Sequence, residues 1–213
     1  MSDQRGATPL PVTPTIQRLG VFGGAFDPPH LAHVWLARAA LAQLALDQLR
    51  VFPTGQAWHK EGDLTQASHR LAMARIALGS LPRTVIDDRE LRRLGPTYTI
   101  DTLRELKAEH PAAQLFLVMG EDQAVAFTRW REWQAILHLA IICVAARAHG
   151  KRAEGPFGSQ FPVEAEFRPI RMPSMPESAT EVRERLSGGL GIAHLVPEGV
   201  ARYIDQHHLY QTT

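Results

Sequence analysis

The chain has 213 residues, of which 45% are hydrophobic, and a formal net charge of +1 at pH 7. This length predicts one domain, and this hydrophobic content is enough for a packed core, which excludes global disorder. The small net charge argues against general binding of nucleic acid or of membrane surfaces. The only cysteine, Cys143, excludes an internal disulfide and a cysteine-rich metal site.

Residues 1–17 contain Pro, Thr and Ser without periodicity, which predicts a flexible leader before a single domain over 18–213. No signal peptide is recognisable, and no apolar stretch is long enough to cross a bilayer. The cytoplasm is therefore the expected compartment.

The domain begins with a short apolar strand, Arg18–Phe22. An Ala- and Leu-rich segment without Gly or Pro, Leu31–Leu46, predicts the first helix. The connection and the start of the helix read Gly-Gly-Ala-Phe-Asp-Pro-Pro-His-Leu-Ala-His over residues 23–33. We expect Asp27 to cap the helix.

This connection has the features of an anion site. Gly23 and Gly24 lack a Cβ, so the backbone can turn sharply and approach a ligand closely. The helix N-terminus presents N–H groups and the positive end of the helix dipole. His30 and His33, three residues apart, share one face of the helix at that end. A plain connection with two surface histidines has similar local features, so the turn alone does not decide its role.

Strands and helices then alternate. Leu49–Pro53 predicts a strand, 54–63 a loop, and Gln66–Leu78 an amphipathic helix. The next strand begins at Thr84, and the charged run 87–90 is expected to mark that strand leaving the core.

A Gly-Pro turn at Gly95 leads into a predicted helix over Thr99–Glu109. Ala113–Met119 predicts a buried parallel strand, which Gly-Glu-Asp follows at 120–122. Ligands of open α/β sheets bind at the carboxyl ends of strands, so a carboxylate at this place could bind ribose hydroxyls or hydrated Mg²⁺.

The last third continues the alternation. Leu139–Ala146 predicts a strand that ends before Arg147, 151–160 a loop, and Val163–Met172 a last strand. Ser178 and Thr180 are candidate caps of a helix that follows. Strands alternating with helices predict an α/β fold with a mostly parallel sheet.

Two motifs carry a family resemblance. Residues 23–33 resemble the nucleotidyltransferase superfamily motif, a Gly-rich turn with Phe-Asp-Pro and His-x-Gly-His. Residues 177–183 resemble its second signature, Ile-Ser-Ser/Ala-Thr-x-Ile-Arg. Within the superfamily the chain looks most like the nicotinate-nucleotide adenylyltransferases, from about residue 19 to residue 210. It departs from their pattern with Ala25 in place of Thr, Ala32 in place of Gly and Glu177 in place of Ile.

The resemblance implies a Rossmann-like, doubly wound α/β fold of the nucleotidyltransferase type. It also implies transfer of the adenylyl group of ATP to nicotinate mononucleotide, giving deamido-NAD and pyrophosphate in NAD biosynthesis. Mg²⁺ would be held mainly by the ATP phosphates, so no metal site of the protein is expected. ATP and nicotinate mononucleotide are the expected partners, without nucleic acid or membrane. Whether the protein forms a homo-oligomer stays open, because no interface can be read from the sequence.

The resemblance also assigns residue roles. Those that would stabilise the charge developing during transfer, the catalytic set, are His30, His33, Lys60 and Arg183. Those that would bind ATP are Gly23, Gly24, Ala25, Phe26, His30, His33, Asp122, Arg147, Ser178, Thr180 and Arg183. Those that would bind the nicotinate nucleotide are His59, Tyr98, Thr99 and Trp130, with Trp130 stacked on the pyridine ring and Trp133 used for packing.

Two alternative functions keep the same fold. One is a sister nucleotidyltransferase acting on nicotinamide mononucleotide or another phosphorylated acceptor. The other is a non-catalytic nucleotide-binding sensor, which only the substitution at Ala32 favours. A dinucleotide-binding dehydrogenase domain lacks support, because the first turn has no Gly-x-Gly-x-x-Gly.

Overall fold

The computed structural model describes residues 15–57, 64–147, 166–175 and 177–211, and only the backbone at residues 56, 57, 146 and 147. The strands in these ranges are β1 (Arg18–Gly24), β2 (Gln48–Pro53), β3 (Gln56–Ala57), β4 (Thr84–Ile86), β5 (Pro96–Thr97), β6 (Gln114–Met119), β7 (Ala140–Arg147) and β8 (Phe167–Met172). The helices are α1 (Leu31–Gln43), α2 (Ala67–Leu78), α3 (Arg89–Arg92), α4 (Thr99–Glu109), α5 (Glu121–Val125), α6 (Trp133–Leu139), α7 (Ala179–Ser187) and α8 (Glu198–Gln206), with a 3₁₀ turn at Phe127–Arg129.

The main sheet has six parallel strands in the order β4-β2-β1-β6-β7-β8. From β1 the chain builds one edge through β2 and β4, then crosses to β6 and builds the other edge. The carboxyl ends of β1 and β6 therefore flank the point where the strand order reverses, which is where open α/β sheets bind ligands. The predicted α/β fold with a mostly parallel sheet is confirmed.

Helices cover both faces of this sheet. Successive residues of β1 point to opposite faces, so Leu19 and Val21 join the apolar cluster under α4 and α6, whereas Phe22 joins the cluster under α1, α2 and α8. Cys143 is buried in β7. Among the described residues, no helix is both long and apolar enough to cross a membrane.

Helix α1 ends at Gln43, three residues before its predicted end, because Ala45 adopts a left-handed backbone with φ 47°. The N–H of Leu46 then bonds to the carbonyl of Leu41 and that of Ala45 to Ala42, which is the Schellman arrangement. Alanine here takes the position that glycine usually occupies.

The strand from Thr84 stops at Ile86, and the charged run begins a helical turn, α3. Asp87 accepts the backbone N–H of Arg89 at 3.1 Å and also pairs with its guanidinium. The run therefore turns back over the sheet, which corrects the expectation that it leaves the core.

The end of the predicted leader is attached to the domain where it is described. Ile16 packs against one apolar cluster, and the Gln17 N–H donates to the Asp47 carboxylate at 2.8 Å. Residues 1–14 and the predicted loop 151–160 lie outside the described residues, so the leader stays a prediction.

A second, two-stranded parallel sheet adjoins the end of β2, and no sequence pattern predicted it. Strand β3 pairs with β5, with Gln56 opposite Pro96 and Ala57 opposite Thr97. Gly55 allows this arrangement, because a Cβ at this position would stand 2.2 Å from the carbonyl oxygen of Glu90. The close backbone approach therefore requires glycine.

Gly55→Ala is expected to lower the free energy of unfolding by roughly 1–3 kcal/mol, because the methyl group must displace the backbone of α3. Thermal unfolding measures this as a midpoint lower by roughly 2–4 °C per kcal/mol. Gly191→Ala is the matched control, since a Cβ there meets nothing within 4 Å. Equal midpoints for the two variants would contradict the assigned contact.

Candidate active site

A cavity of about 500 Å³ opens at the carboxyl ends of β1 and β6. Thirteen of the residues predicted to bind substrate line it. They are Gly23, Gly24, Ala25, Phe26, His30, His33, Tyr98, Thr99, Asp122, Trp130, Ser178, Thr180 and Arg183. The fold thus brings the two motifs together, although about 150 residues separate them in the sequence.

The turn after β1 is held in a strained conformation. Phe26 has a left-handed φ of 49°, which is uncommon for a residue with a bulky side chain. Its buried ring packs edge-on against Phe22, with the centroids 5.5 Å apart, and against Gly24, where a Cβ would stand 3.1 Å from the ring. The absence of a side chain at Gly24 therefore leaves room for the Phe26 ring, and the buried ring helps to hold the turn in this conformation.

His30, and not Asp27, occupies the N-cap position of α1. This corrects the predicted cap. The backbone N–H of His30 donates to Nδ1 of His33 at 3.2 Å, and the two imidazole rings contact each other at a tilt of 41°, with centroids 3.8 Å apart. Because Nδ1 of His33 accepts a hydrogen bond, its ring proton lies on Nε2.

His30 is a neutral, buried imidazole in this structure. Burial lowers its pKa to about 4, and attraction to Asp122 opposes this change only in part. Its side chain faces the backbone N–H of His33 in a capping-box arrangement, without a hydrogen bond of good geometry at Nδ1. His30 accordingly presents a neutral imidazole, and not a fixed positive charge, at the start of α1.

Asp27 joins the turn to three distant segments. Its carboxylate accepts the N–H of Thr65 at 3.1 Å and the hydroxyl of Tyr210 at 2.6 Å. Its backbone carbonyl accepts Nη1 of Arg183 at 2.7 Å. Arg183 thereby lies across the base of the turn, where a guanidinium can also face phosphate oxygens.

The start of α7 forms the opposite wall. Ser178 is its N-cap, as predicted, and accepts the N–H of Glu181 at 3.1 Å. Thr180 lies inside the first turn and does not cap the helix. Its hydroxyl accepts Nη2 of Arg183 at 3.3 Å, which orients the guanidinium.

The far end of the cavity combines a helix start with aromatic rings. Tyr98 is the N-cap residue of α4 and Thr99 its first residue. The guanidinium of Arg131 lies over the Tyr98 ring, 4.6 Å from its centroid. Trp130 follows the 3₁₀ turn, lines the cavity and packs against Phe127 with the ring centroids 5.5 Å apart. Trp133 packs edge-on against the same Phe127 ring and does not line the cavity.

Sequence reasoning missed two polar residues of the cavity. Glu90 is only 7% exposed, and burial raises the pKa of its carboxyl group. Thr102 donates its hydroxyl to Glu90 at 2.7 Å and accepts Nη1 of Arg93 at 2.8 Å. No sequence signal marked Glu90, because its burial arises from the docking of α3 against Gly55 and α4.

Three predicted site residues cannot be placed in the cavity. His59 and Lys60 lie outside the described residues. Arg147 is described by its backbone alone, at the carboxyl end of β7.

Comparisons with known proteins bear on the family of the chain. Residues 21–185 match the model of the cytidylyltransferase-like family. A protein of Albidiferax ferrireducens, named "Probable nicotinate-nucleotide adenylyltransferase", is 56% identical over 92% of this chain and all of its own length. A protein of Methylibium petroleiphilum with the same name is 41% identical over 91% of this chain and 92% of its own.

A solved structure shares the fold. It is titled "Plasmodium falciparum nicotinic acid mononucleotide adenylyltransferase complexed with NaAD" and superposes with a TM-score of 0.74. It covers 91% of this chain and 97% of its own, at 22% sequence identity.

The sheet, the paired motifs and the match over 21–185 define a nucleotidyltransferase of the cytidylyltransferase-like class. Within that class, the identities of 56% and 41% to the two named relatives, over nearly the whole chain, show to which family it belongs. The chain belongs to the nicotinate-nucleotide adenylyltransferase family.

The low pKa of His30 predicts a pH dependence of stability. Between about pH 4 and the ordinary value of 6.5, the unfolded chain binds a proton that the folded chain does not. Stability from this group is therefore complete above pH 6.5 and is lost as the pH falls. Urea unfolding should show a loss of about 2 kcal/mol from pH 7 to pH 5, at 1.36 kcal/mol per pH unit.

His30→Asn is the control, because it removes this titration and leaves the carboxylates that also titrate. Its loss of stability over the same pH range should be smaller by about 2 kcal/mol. Parallel stability curves for the two proteins would show that His30 is not buried as a neutral group.

Proposed function

We propose that this protein transfers the adenylyl group of ATP to nicotinate mononucleotide, giving deamido-NAD and pyrophosphate, as a step of NAD biosynthesis. The names of its relatives support this reaction. The observation that carries the proposal is the contact between the two motifs in one cavity, with Arg183 of the second bonded to the Asp27 carbonyl of the first. Two helix starts, those of α1 and α7, adjoin that cavity, and each is suited to a phosphate group.

The chemistry follows from the charges involved. The phosphate of nicotinate mononucleotide is already a nucleophile at neutral pH, so no general base is required. One of its oxygens attacks the α-phosphorus of ATP, and the bond from that phosphorus to pyrophosphate breaks. Catalysis then consists of positioning two polyanions and stabilising the charge that develops. Arg183 and Lys60 are assigned as cations for this task, and His30 and His33 as donors.

Magnesium enters the proposal as part of the substrate, MgATP. No group of three His, Cys, Asp or Glu side chains in the described ranges could hold a metal ion. We assign the ion mainly to the phosphate oxygens of ATP, and Asp122 in the cavity is proposed to face that ion or the ribose.

Two features favour a carboxylate on the pyridine ring over an amide. The N-terminus of α4 presents backbone N–H groups beside Thr99, and an anion there is stabilised by the helix dipole. Arg131, stacked on Tyr98, adds a positive charge at the same end of the cavity. A carboxylate only accepts hydrogen bonds, whereas an amide also donates, so this surrounding suits the acid.

The proposal includes the single domain over 18–213 and the flexible leader before it. It places the reaction in the cytoplasm, where ATP and mononucleotides are available. A measurement of the molar mass in solution decides whether the protein forms a homo-oligomer.

Pyrophosphate release from MgATP, with nicotinate and nicotinamide mononucleotides assayed side by side, tests the function. We expect rapid release with the acid and a clearly higher kcat/KM for it than for the amide. Equal use of both, or preference for the amide, would overturn the substrate assignment and favour a sister transferase. No release with either would favour the sensor, with Ala32→Gly as the first variant to assay.

His33→Ala tests the catalytic role of the first motif. Loss of one donor aimed at the developing charge should lower kcat by roughly 10²–10³, with an unchanged far-ultraviolet spectrum. A fully active variant would contradict the assigned role of the motif.

The assigned stacking of Trp130 on the pyridine ring predicts a selective effect on one substrate. Trp130→Ala should raise KM for nicotinate mononucleotide by about tenfold, since stacking contributes about 1–3 kcal/mol, and should leave KM for ATP unchanged. Trp133→Ala removes a ring of similar size that packs on Phe127, so it should lower stability without this KM effect. Equal effects of the two variants on both KM values would contradict the stacking.

A further inference from the structure

Arg70 of α2 is a buried cation that donates to backbone carbonyl groups. The residue is only 3% exposed. Nη1 donates to Ala25 at 2.9 Å and to Thr54 at 2.7 Å, and Nε donates to Thr65 at 2.9 Å. A buried charge is tolerated when hydrogen bonds compensate it, and here three carbonyl dipoles do so.

These carbonyl groups belong to three separate segments at one wall of the cavity. Ala25 lies in the turn after β1, Thr54 follows β2, and Thr65 precedes α2. Ala25 and Thr54 line the cavity, whereas Arg70 lies behind them. Arg70 thus joins the segment before α2 to the ends of β1 and β2, which the bond from the Thr54 N–H to the Gly24 carbonyl already links to each other.

A second contact closes the same arrangement. Tyr210, after α8, donates its hydroxyl to Asp27, and Asp27 accepts the N–H of Thr65. Thr65 is therefore held at its N–H by Asp27 and at its carbonyl by Arg70. Tyr210 has a left-handed φ of 63°, which is uncommon for an aromatic residue and persists only where its surroundings require it.

The residue between these two anchors is the strained one. Phe26, with φ 49°, is preceded by Ala25, whose carbonyl Arg70 binds, and followed by Asp27, whose carboxylate Tyr210 binds. A non-glycine residue in this region costs of order 1–3 kcal/mol and needs a rigid surrounding. Both neighbours of Phe26 are held in place by these hydrogen bonds from Arg70 and Tyr210.

We infer that Arg70 and Tyr210 are positioning residues for adenylyl transfer. They hold the turn of residues 25–27 from behind in the geometry that faces the ATP phosphates, without touching substrate. This inference rests on the proposed function, because it concerns how fast the transfer proceeds once both substrates are bound.

Arg70→Met is the main test, in the full chain with MgATP and nicotinate mononucleotide. We expect kcat to fall by about 10², because small misplacements of a positioning group cost this much, while KM for nicotinate mononucleotide stays within about threefold. Arg83→Met is the matched control, since Arg83 also donates to a carbonyl, that of Leu46 at 2.6 Å, outside the cavity. It should keep kcat.

Two milder variants test the same idea where Arg70→Met fails to fold. Arg70→Lys keeps the charge but not the planar array of donors, so its kcat should lie between those of wild type and Arg70→Met. Tyr210→Phe removes one hydroxyl group and should lower kcat by about tenfold with little loss of stability.

Hydrogen exchange supplies a readout independent of activity. The Thr54 N–H bonds to Gly24 and the Thr65 N–H to Asp27, so both amides should exchange faster in Arg70→Met and Tyr210→Phe, and the amide of Phe22 in β1 should not. Unchanged exchange at Thr54 and Thr65 would overturn the inference. So would equal losses of kcat in Arg70→Met and Arg83→Met, or full activity of Tyr210→Phe.

Failure of the proposed function has a different signature. Wild-type protein would then release no pyrophosphate with either mononucleotide, while the exchange of Thr54 and Thr65 would still report whether Arg70 and Tyr210 hold the turn.

Discussion

Asp27 lies at the point where four segments of the chain meet, and the geometry of the cavity depends on its hydrogen bonds. Its carboxylate holds Thr65 and Tyr210, and its carbonyl holds Arg183. Asp27 is only 4% exposed, and its carboxylate can remain there because the bonds from Thr65 and Tyr210 compensate the loss of water. The first motif is thereby tied at once to the segment before α2, to the second motif and to the end of the chain.

The electrostatics of the cavity suit a ligand with negative charge that arrives in a prepared site. Two imidazoles in contact lie at the start of α1, and the guanidinium of Arg183 is oriented by Thr180 and Asp27. His30 is neutral because it is buried. A phosphate group beside it would favour the protonated imidazole, since an opposite charge nearby raises a pKa. Binding of substrate and protonation of His30 are therefore expected to be coupled.

Much of the site could be predicted because its parts are local. The glycines, the helix start and His30 and His33 form one continuous stretch, and Ser178 caps its helix through a bond within three residues. Arg70 and Tyr210 could not be recognised, because their hydrogen bonds join distant parts of the sequence. The bond from Arg70 to Thr54 spans 16 residues, and the bond from Tyr210 to Asp27 spans 183. The role of Asp27 was misjudged for the same reason. A cap is a local feature, whereas bonds to Thr65 and Tyr210 require the folded chain.

The sequence by itself determined the alternation of strands and helices, the parallel sheet and the two motifs that identify the family, because periodicity and turn residues act over a few positions. Only the tertiary structure decided which side chains are buried and what they bond to. It buried His30 and Glu90 and so shifted their pKa values in opposite directions, since burial disfavours the charged form of each. It also placed Arg70 behind the turn, where carbonyl groups from three segments converge. Such a convergence depends on packing between distant elements, and no local pattern encodes it.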